Sequence, residues 1–396
     1  MRLNISKHLL SEVTVISVMI AIIVGASFSF YYYATKKEKT NLESVNQSLN
    51  QQLSETKEEL NRLKNDDQYK INQQLKEEID NINNTYNQSV SLYERFLDLQ
   101  PSLNDTSDYE VLLANAISLL ADKNYEKAGS ILEEFDLKLK EEENKIYTAS
   151  IQETVTKENV ATSNTPPDSG YLRQQVQTDA GSFLVSIVSA DIGSTRVIVD
   201  TASQGTCHND CPVLPLSDYV SRNGAYAGVN GSYFCPATYP SCAGKTNSFD
   251  TLLMNKDKTY FNSDNNVYSG NPAVIFGGGY VRFVSAASQW GRDTSIDSMI
   301  SNYPLLVMGG NITFGGDSDP KKGSKGNRSF VANKGNSIFI GVVHSATVAE
   351  SAHVMKSLGM ENALNLDNGG STALWHGGYK MGPGRNLPNV ILFVNK

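Results

Sequence analysis

Val13 to Ala34 runs for 22 residues without a charged side chain, between Arg2 and Lys7 on one side and Lys36, Lys37 and Lys39 on the other. A helix of that length covers the hydrocarbon thickness of a bilayer. Tyr31, Tyr32 and Tyr33 stand where an interfacial aromatic belt belongs, and no Ala-x-Ala cleavage motif precedes the lysines. The run therefore reads as an uncleaved transmembrane anchor over 13–35, with 1–12 as a cytoplasmic tail. The flanking cations nearly cancel and do not orient it.

The rest of the chain is divided by charge. Lys36 to Ser169 carries 15 Lys/Arg against 26 Asp/Glu, a net of −11, whereas Gly170 to Lys396 carries 17 against 15, a net of +2. No basic block suggests nucleic acid. Over 41–100 the residues Leu42, Val45, Leu49, Leu53, Leu60 and Leu63, then Ile71, Leu75, Ile79, Ile82, Tyr86, Val90, Tyr93 and Leu97, recur at alternating threes and fours. That pattern predicts a coiled-coil stalk, and with it a possible homo-oligomer, or else a single solvated helical spacer. The register shifts near Asp66-Asp67. Residues 105–145 read as a helical hairpin turning at Asp122-Lys123-Asn124; a lone hairpin cannot bury both faces, so it is expected to cap the stalk. Residues 146–169, with Pro166-Pro167, read as a linker, and strand periodicity begins after it. The stalk is expected to be dispensable for chemistry.

Two stretches in the C-terminal part are built like sites. Asn365-Leu366-Asp367-Asn368-Gly369-Gly370-Ser371-Thr372 drops a lone carboxylate from an apolar strand into a glycine turn. The strand Ser337–Val343 and the helical spacing of Val348, Ala352, Met355 and Leu358, ending at Gly359, make Asp367 the end of a strand-helix-strand unit. Ligands of open α/β sheets sit beyond such strand ends, and paired glycines let backbone N–H groups approach an anionic or sugar oxygen. Upstream, Gly228-Val229-Asn230-Gly231-Ser232-Tyr233-Phe234 breaks a small apolar strand into Asn-Gly and an aromatic pair.

Together with Pro304-Leu305-Leu306 ahead of Gly309-Gly310, and Asn327-Arg328-Ser329, these blocks resemble the phosphodiester glycosidase family in order and spacing. Its pattern has an Asn-Gly-Gly-Tyr-Phe-like block, a Leu-Asp-Gly-Gly-Gly-Ser block and a Pro-Arg-Thr. Here Ser232 and Asn368 each replace a glycine. The resemblance implies an α/β domain with a mixed sheet over 170–396 that hydrolyses a sugar-1-phosphodiester.

In that chemistry Asp367 stabilises the oxocarbenium-like transition state; its bland reading is a turn cap. The domain contains only Glu350 and Glu361 as glutamates, both on or beside a surface helix, which argues against a two-glutamate glycosidase. Arg328 stands at the family's Arg position and suits a phosphate, as a guanidinium presents a bidentate fork; Arg385 is a second choice. Asn230, Gly231, Tyr233, Gly369, Gly370, Ser371 and Thr372 are expected to hold sugar or phosphate oxygens. His344, ending the strand before the helix, is the expected acid/base partner. Cys207, Cys211, Cys235 and Cys242 fit two disulfides better than zinc, lacking a Cys-x2-Cys knuckle. Behind an anchor, disulfides place the domain outside the cytoplasm, at the cell surface. No cofactor or metal motif is present: Gly244-Lys245-Thr246 follows Tyr239 where a phosphate loop needs glycine, and Lys321 and Lys322 break the calcium-loop pattern of Asp317 and Asp319. The competing reading is a non-catalytic glycan-binding or cell-envelope scaffold protein.

Overall fold

The computed structural model describes residues 7–157, 160–264 and 269–396. The chain divides into two compact units, Met1–Asn81 and Ile82–Lys396.

The first unit is helical. Helix α1 (Lys7–Lys64) contains one segment long and apolar enough to cross a membrane, near the N-terminus. It stops at Asn65-Asp66, where the sequence register shifts, and Asp66 Oδ1 accepts the Gln68 N–H as α2 (Asp67–Leu99) begins. The apolar seam from Leu42 to Leu63 is exposed on the single chain.

In the second unit the chain continues with α3 (Ser107–Ala121), α4 (Tyr125–Lys157), β1 (Gly170–Thr178), β2 (Gly181–Asp191), β3 (Thr195–Thr201), α5 (Leu216–Asn223) and β4 (Ala227–Asn230). Then come β5 (Leu253–Met254), β6 (Tyr260–Phe261), β7 (Ala273–Gly277), β8 (Tyr280–Val284), β9 (Ser298–Ser301), β10 (Leu305–Met308), β11 (Asn311–Ile312) and α6 (Pro320–Gly323). The chain ends with β12 (Gly326–Lys334), β13 (Ser337–Ala346), α7 (Val348–Ser357), β14 (Asn362–Asn368), β15 (Leu374–His376), β16 (Tyr379–Met381) and β17 (Asn389–Asn395). The hairpin expected at 105–145 is α3 and α4, with α4 running on to Lys157. Its apolar face does find a partner: Leu112, Ala116, Leu132, Phe135 and Leu139 close over Leu92 and Phe96 at the end of α2. Arg95 locks this bundle, with Nε and Nη2 donating to the two carboxylate oxygens of Glu143 at 2.7 and 2.8 Å and Nη1 to Asp136. A bidentate guanidinium fixes orientation as well as distance, so the neighbouring carboxylates Glu94 and Asp98 point in a defined direction.

The C-terminal domain is β-rich. A seven-stranded sheet, β1-β2-β13-β12-β14-β10-β11, faces a five-stranded sheet, β16-β15-β4-β17-β3, and a third carries β6-β5-β9-β7-β8. The ladders between these strands are antiparallel. The strand-helix-strand unit read from the sequence is present as β13-α7-β14, but β12 is inserted between its strands, antiparallel to both. Alternation sorts each strand between two cores: Ile338, Ile340 and Val342 face Val229, Ile391 and Phe393 of the facing sheet, whereas Phe339 and Val343 pack under Ala352 and Met355 of α7. Thr347 caps α7 in a capping box with Glu350, and Gly359 leaves it at φ +73°. On the other side α5 buries Leu216 and Tyr219 against Leu392. Two facing sheets between two helices therefore bring the ends of β4 and β14 together.

Candidate active site

Asp367 and Asn230 mark the strand ends where the two sheets meet. Asn230 is fully buried and joins three segments: its Nδ2 donates to the Asp367 carbonyl at 2.7 Å, and its Oδ1 accepts the Ser329 hydroxyl at 2.7 Å and the Ala373 N–H at 3.1 Å. Gly231 accepts the Asp367 N–H at 2.9 Å, and a Cβ there would stand 1.9 Å from Asn389 Oδ1. Only glycine permits that approach. Neither residue lines the cavity; both hold β4 to β14. Ser232 turns away as well, its hydroxyl accepting from Asn389 Nδ2 at 3.0 Å.

The cavity, of ≈ 660 Å³, opens beside Asp367 and is lined by Tyr233, Tyr303, Arg328, Asn368, Gly369, Gly370, Thr372 and Arg385, among others. Asp367 is 8 % exposed. Burial pushes its carboxyl up to about 7, against the hydrogen bond from Ser371, the Asn368 N–H at 2.9 Å and the positive charge of Arg385. Ser371 is itself buried, so it steadies the carboxylate from behind. One Asp367 oxygen accepts from the turn, as the turn-cap reading expects, and the residue also lines the cavity. Tyr233 receives two amide donors on its hydroxyl, Asn365 Nδ2 at 2.6 Å and Asn368 Nδ2 at 3.0 Å. Burial raises its pKa, against the charge of Arg328 and the hydrogen bond from Asn365, which leaves a neutral phenol with its own proton to donate.

The two arginines do different work. Arg328 is buried, donating through Nε to the Ala346 carbonyl at 2.8 Å and through Nη2 to the carbonyls of Lys321 and Ser324. Burial lowers its pKa. Its fork is thus spent largely on the backbone of the loop before β12. Arg385 lies over the Gly369-Gly370 turn, where a Cβ on Gly370 would meet its Nη2 at 2.7 Å. Its Nη1 donates to the Ser371 hydroxyl at 3.4 Å, and its guanidinium sits 5.0 Å from the centre of the Tyr239 ring. Burial pulls its pKa down, but Asp98 and Tyr239 outweigh that and leave it raised.

His344 is not among the lining residues. Its Nε2 lies 2.9 Å from Ser186 Oγ on β2, and burial, with Arg173 nearby, drives its pKa down to about 3. At ordinary pH the imidazole is therefore neutral and turned toward β2, with no imidazolium to act as an acid in the cavity.

The cavity is also lined from the helical segment that precedes the C-terminal domain. Arg95, Asp98 and Leu99 of the expected stalk line it, together with Pro101 and Ser102 just after it and Glu143 of the expected hairpin, so residues outside 170–396 reach the cavity. Asp98 pairs with Arg385 Nη2 and accepts the Tyr239 hydroxyl. Glu94, 2 % exposed, accepts from Lys321 Nζ and from the N–H and hydroxyl of Ser241. Tyr239 and Ser241 belong to a loop closed by the Cys235–Cys242 disulfide; Cys207–Cys211 forms the other. No group of three or more metal-ligating side chains is found among the described residues.

Several solved structures resemble the chain. A zebrafish N-acetylglucosamine-1-phosphodiester alpha-N-acetylglucosaminidase catalytic domain, auto-inhibited by its pro-peptide, aligns at 15% identity with a TM-score of 0.46, over 60% of this chain and 87% of that one. A hypothetical protein from Synechocystis aligns at 14% identity and TM-score 0.42, over 57% of this chain and 62% of that one, less than two thirds of its length. A putative exported protein from Burkholderia pseudomallei K96243 aligns at 11% identity and TM-score 0.34, over 54% and 74%. No curated protein sequence matches. The family model described as phosphodiester glycosidase matches residues 223–394, which contain both glycine-turn blocks, Arg328 and Arg385. Over those residues the chain is similar to the phosphodiester glycosidase family.

Proposed function

We propose that the C-terminal domain hydrolyses a sugar-1-phosphodiester, and that α1 anchors it in a membrane with the domain on the extracytoplasmic side, where cell-surface glycans or glycopolymers would be its substrates. The observation that carries the reading is a buried carboxylate, Asp367, facing a cavity beside a guanidinium, Arg385, that is laid over two glycines. A sugar-1-phosphodiester needs negative charge near the anomeric carbon and positive charge at the phosphate. Asp367 supplies the first, by stabilising or capturing the developing oxocarbenium. Arg385, with the backbone of Gly369 and Gly370, supplies the second, and Arg328 shapes the loop on the opposite wall. A phosphate departs without strong help from a general acid, so the Tyr233 hydroxyl serves chiefly to orient a substrate oxygen.

Two disulfides suit an oxidising compartment, and the exposed seam of α1 suits pairing with a second copy. The test is release of free sugar from a panel of sugar-1-phosphodiesters by the full chain in detergent micelles. Release of sugar that disappears in Asp367→Asn supports the reading. Binding without release from any member of the panel would favour a glycan-binding role.

A further inference from the structure

Four cationic side chains follow one another, Lys321 and Lys322 on α6, Lys325 after it and Arg328 on β12, and their partners differ. Lys322 is held by Asp317 at 2.5 Å and Asp319 at 3.5 Å, Lys325 by Glu350, and Arg328 by backbone carbonyls. All of those partners come from the same domain. Lys321 is paired instead with Glu94 of α2, and across the cavity Arg385 is paired with Asp98 of α2. Lys321 Nζ lies 4.4 Å and the Arg385 guanidinium 5.0 Å from the centre of one ring, that of Tyr239. The domain therefore presents two cations against one aromatic ring, that of Tyr239 on the Cys235–Cys242 loop, and the carboxylates paired with them, Glu94 and Asp98, come from α2, while Asp367 acts on Arg385 from beside the glycine turn.

The groups that do neutralise them are spaced in a defined way. Glu94 and Asp98 are one helical turn apart, so their Cβ atoms are about 6 Å from each other on one face of α2. Asp98 also crowds the glycine turn, its Oδ2 standing 3.2 Å from where a Cβ of Gly369 would be. Two carboxylates at this spacing, one over the phosphate-binding turn and one beyond it, occupy positions for two anions.

Resting on the reading above, we propose that the site takes a substrate bearing two anionic groups about one helical turn apart, neighbouring phosphates of a glycopolymer rather than an isolated phosphodiester, and that Glu94 and Asp98 stand in for those groups until α2 yields to them. One phosphate lies on Arg385 and the Gly369-Gly370 turn beside Asp367. The next lies on Lys321. A singly charged ligand replaces only one of the two ion pairs and leaves Glu94 in place, so it competes poorly with the helix.

Calorimetry on the full chain in detergent micelles tests this, with methyl phosphate as the one-anion probe and propane-1,3-bisphosphonate as the two-anion probe. Glu94→Gln with Asp98→Asn should tighten bisphosphonate binding by about tenfold or more over the unaltered chain, and should leave it about tenfold or more tighter than methyl phosphate. Adding Lys321→Met should erase that advantage while changing methyl phosphate binding by no more than about twofold. Equal binding of both probes by the double variant, or no gain over the unaltered chain, overturns the proposal. Should the double variant fail to fold, hydrogen exchange on the unaltered chain decides: saturating bisphosphonate must speed exchange of the backbone amides of 94–99, and unchanged exchange overturns the proposal. Sugar release is measured separately. Bisphosphonate binding without hydrolysis of any ester would sink the glycosidase reading and leave the two-anion site standing; hydrolysis with indifferent binding would do the reverse.

Discussion

The carboxylate of Asp98 is paired with the guanidinium of Arg385, 287 residues further along the chain. That pair sets Arg385 apart from Arg328, whose donors are taken by carbonyls of its own domain. Substitutions at the two positions should fail in different ways. Arg385→Lys keeps the charge but loses the fork, so KM for a phosphodiester should rise about tenfold or more while activity on a neutral aryl glycoside stays nearly unchanged. Arg328→Lys leaves carbonyls of Lys321, Ser324 and Ala346 short of donors and should cost about 2–3 kcal/mol of stability. Melting curves beside kinetics on both substrates separate the cases; equal losses on charged and neutral substrates for Arg385→Lys would remove its phosphate role.

Asp367 ties activity to stability through pH. Its carboxyl holds a proton up to about 7 in the folded chain, against an ordinary value of 3.8. The folded state therefore binds the extra proton between those values. The stability this contributes is complete below the ordinary value and is lost as pH rises through about 7, on the order of 4 kcal/mol in all. Asp367→Asn should accordingly melt above the unaltered chain at pH 8, with the difference shrinking toward pH 4, while kcat falls by about a hundredfold or more. On the proposed role of the charged carboxylate in the transition state, activity of the unaltered chain should climb as pH passes about 7. An Asn variant that keeps its activity, or that melts lower at pH 8, contradicts this account.

Much of this was legible in the sequence because it is local. A strand that runs Asn365-Leu366-Asp367 into Gly369-Gly370 announces a carboxylate at a strand end, and the capping box at Thr347 fixes the helix before it. The register shift at Asp66-Asp67 marked a real break between helices. What could not be read was long-range. The role of Asn230 depends on Asp367, Ser329 and Ala373 arriving around it, and nothing in its own neighbourhood distinguishes such a tie from a ligand contact. Glu94 and Asp98 look like two more acids on an acidic helix. Their partners lie 141 to 287 residues away, and only the packing of α2 under α3 and α4 turns them inward. His344 misled because its position at a strand end resembles that of Asp367, whereas its side chain points to β2.

Gly231 offers a test of the joint between the sheets without touching the cavity. A methyl group there meets Asn389 Oδ1 at 1.9 Å and the Asn389 carbonyl oxygen at 2.8 Å, and backbone cannot give way as a flexible side chain can. Gly231→Ala should cost about 1–3 kcal/mol in denaturant titration. It should also lower kcat, since Gly231 accepts the Asp367 N–H. A variant as stable as the parent would mean that β4 and β14 are less tightly joined than this packing requires.

Tyr233 and His344 give the sharpest contrast, since both are polar aromatic residues placed in the site from sequence and the structure sends them to different surroundings. The Tyr233 hydroxyl is where Asn365 and Asn368 both donate, and Asn368 adjoins Asp367. Tyr233→Phe removes one oxygen and leaves two amides without that acceptor, so it should cost about 1–3 kcal/mol of stability. It should also slow turnover by about tenfold, the scale of one lost hydrogen bond in the transition state. His344 touches Ser186 and stays neutral above pH 4 or so, given a pKa of about 3. His344→Gln, which can keep a hydrogen bond to Ser186, should leave kcat within about twofold across pH 5 to 8. Steady-state rates for both variants over that range decide the matter: a His344→Gln enzyme that loses an acidic limb from its profile would return the histidine to the chemistry, and an unimpaired Tyr233→Phe enzyme would take the tyrosine out of it.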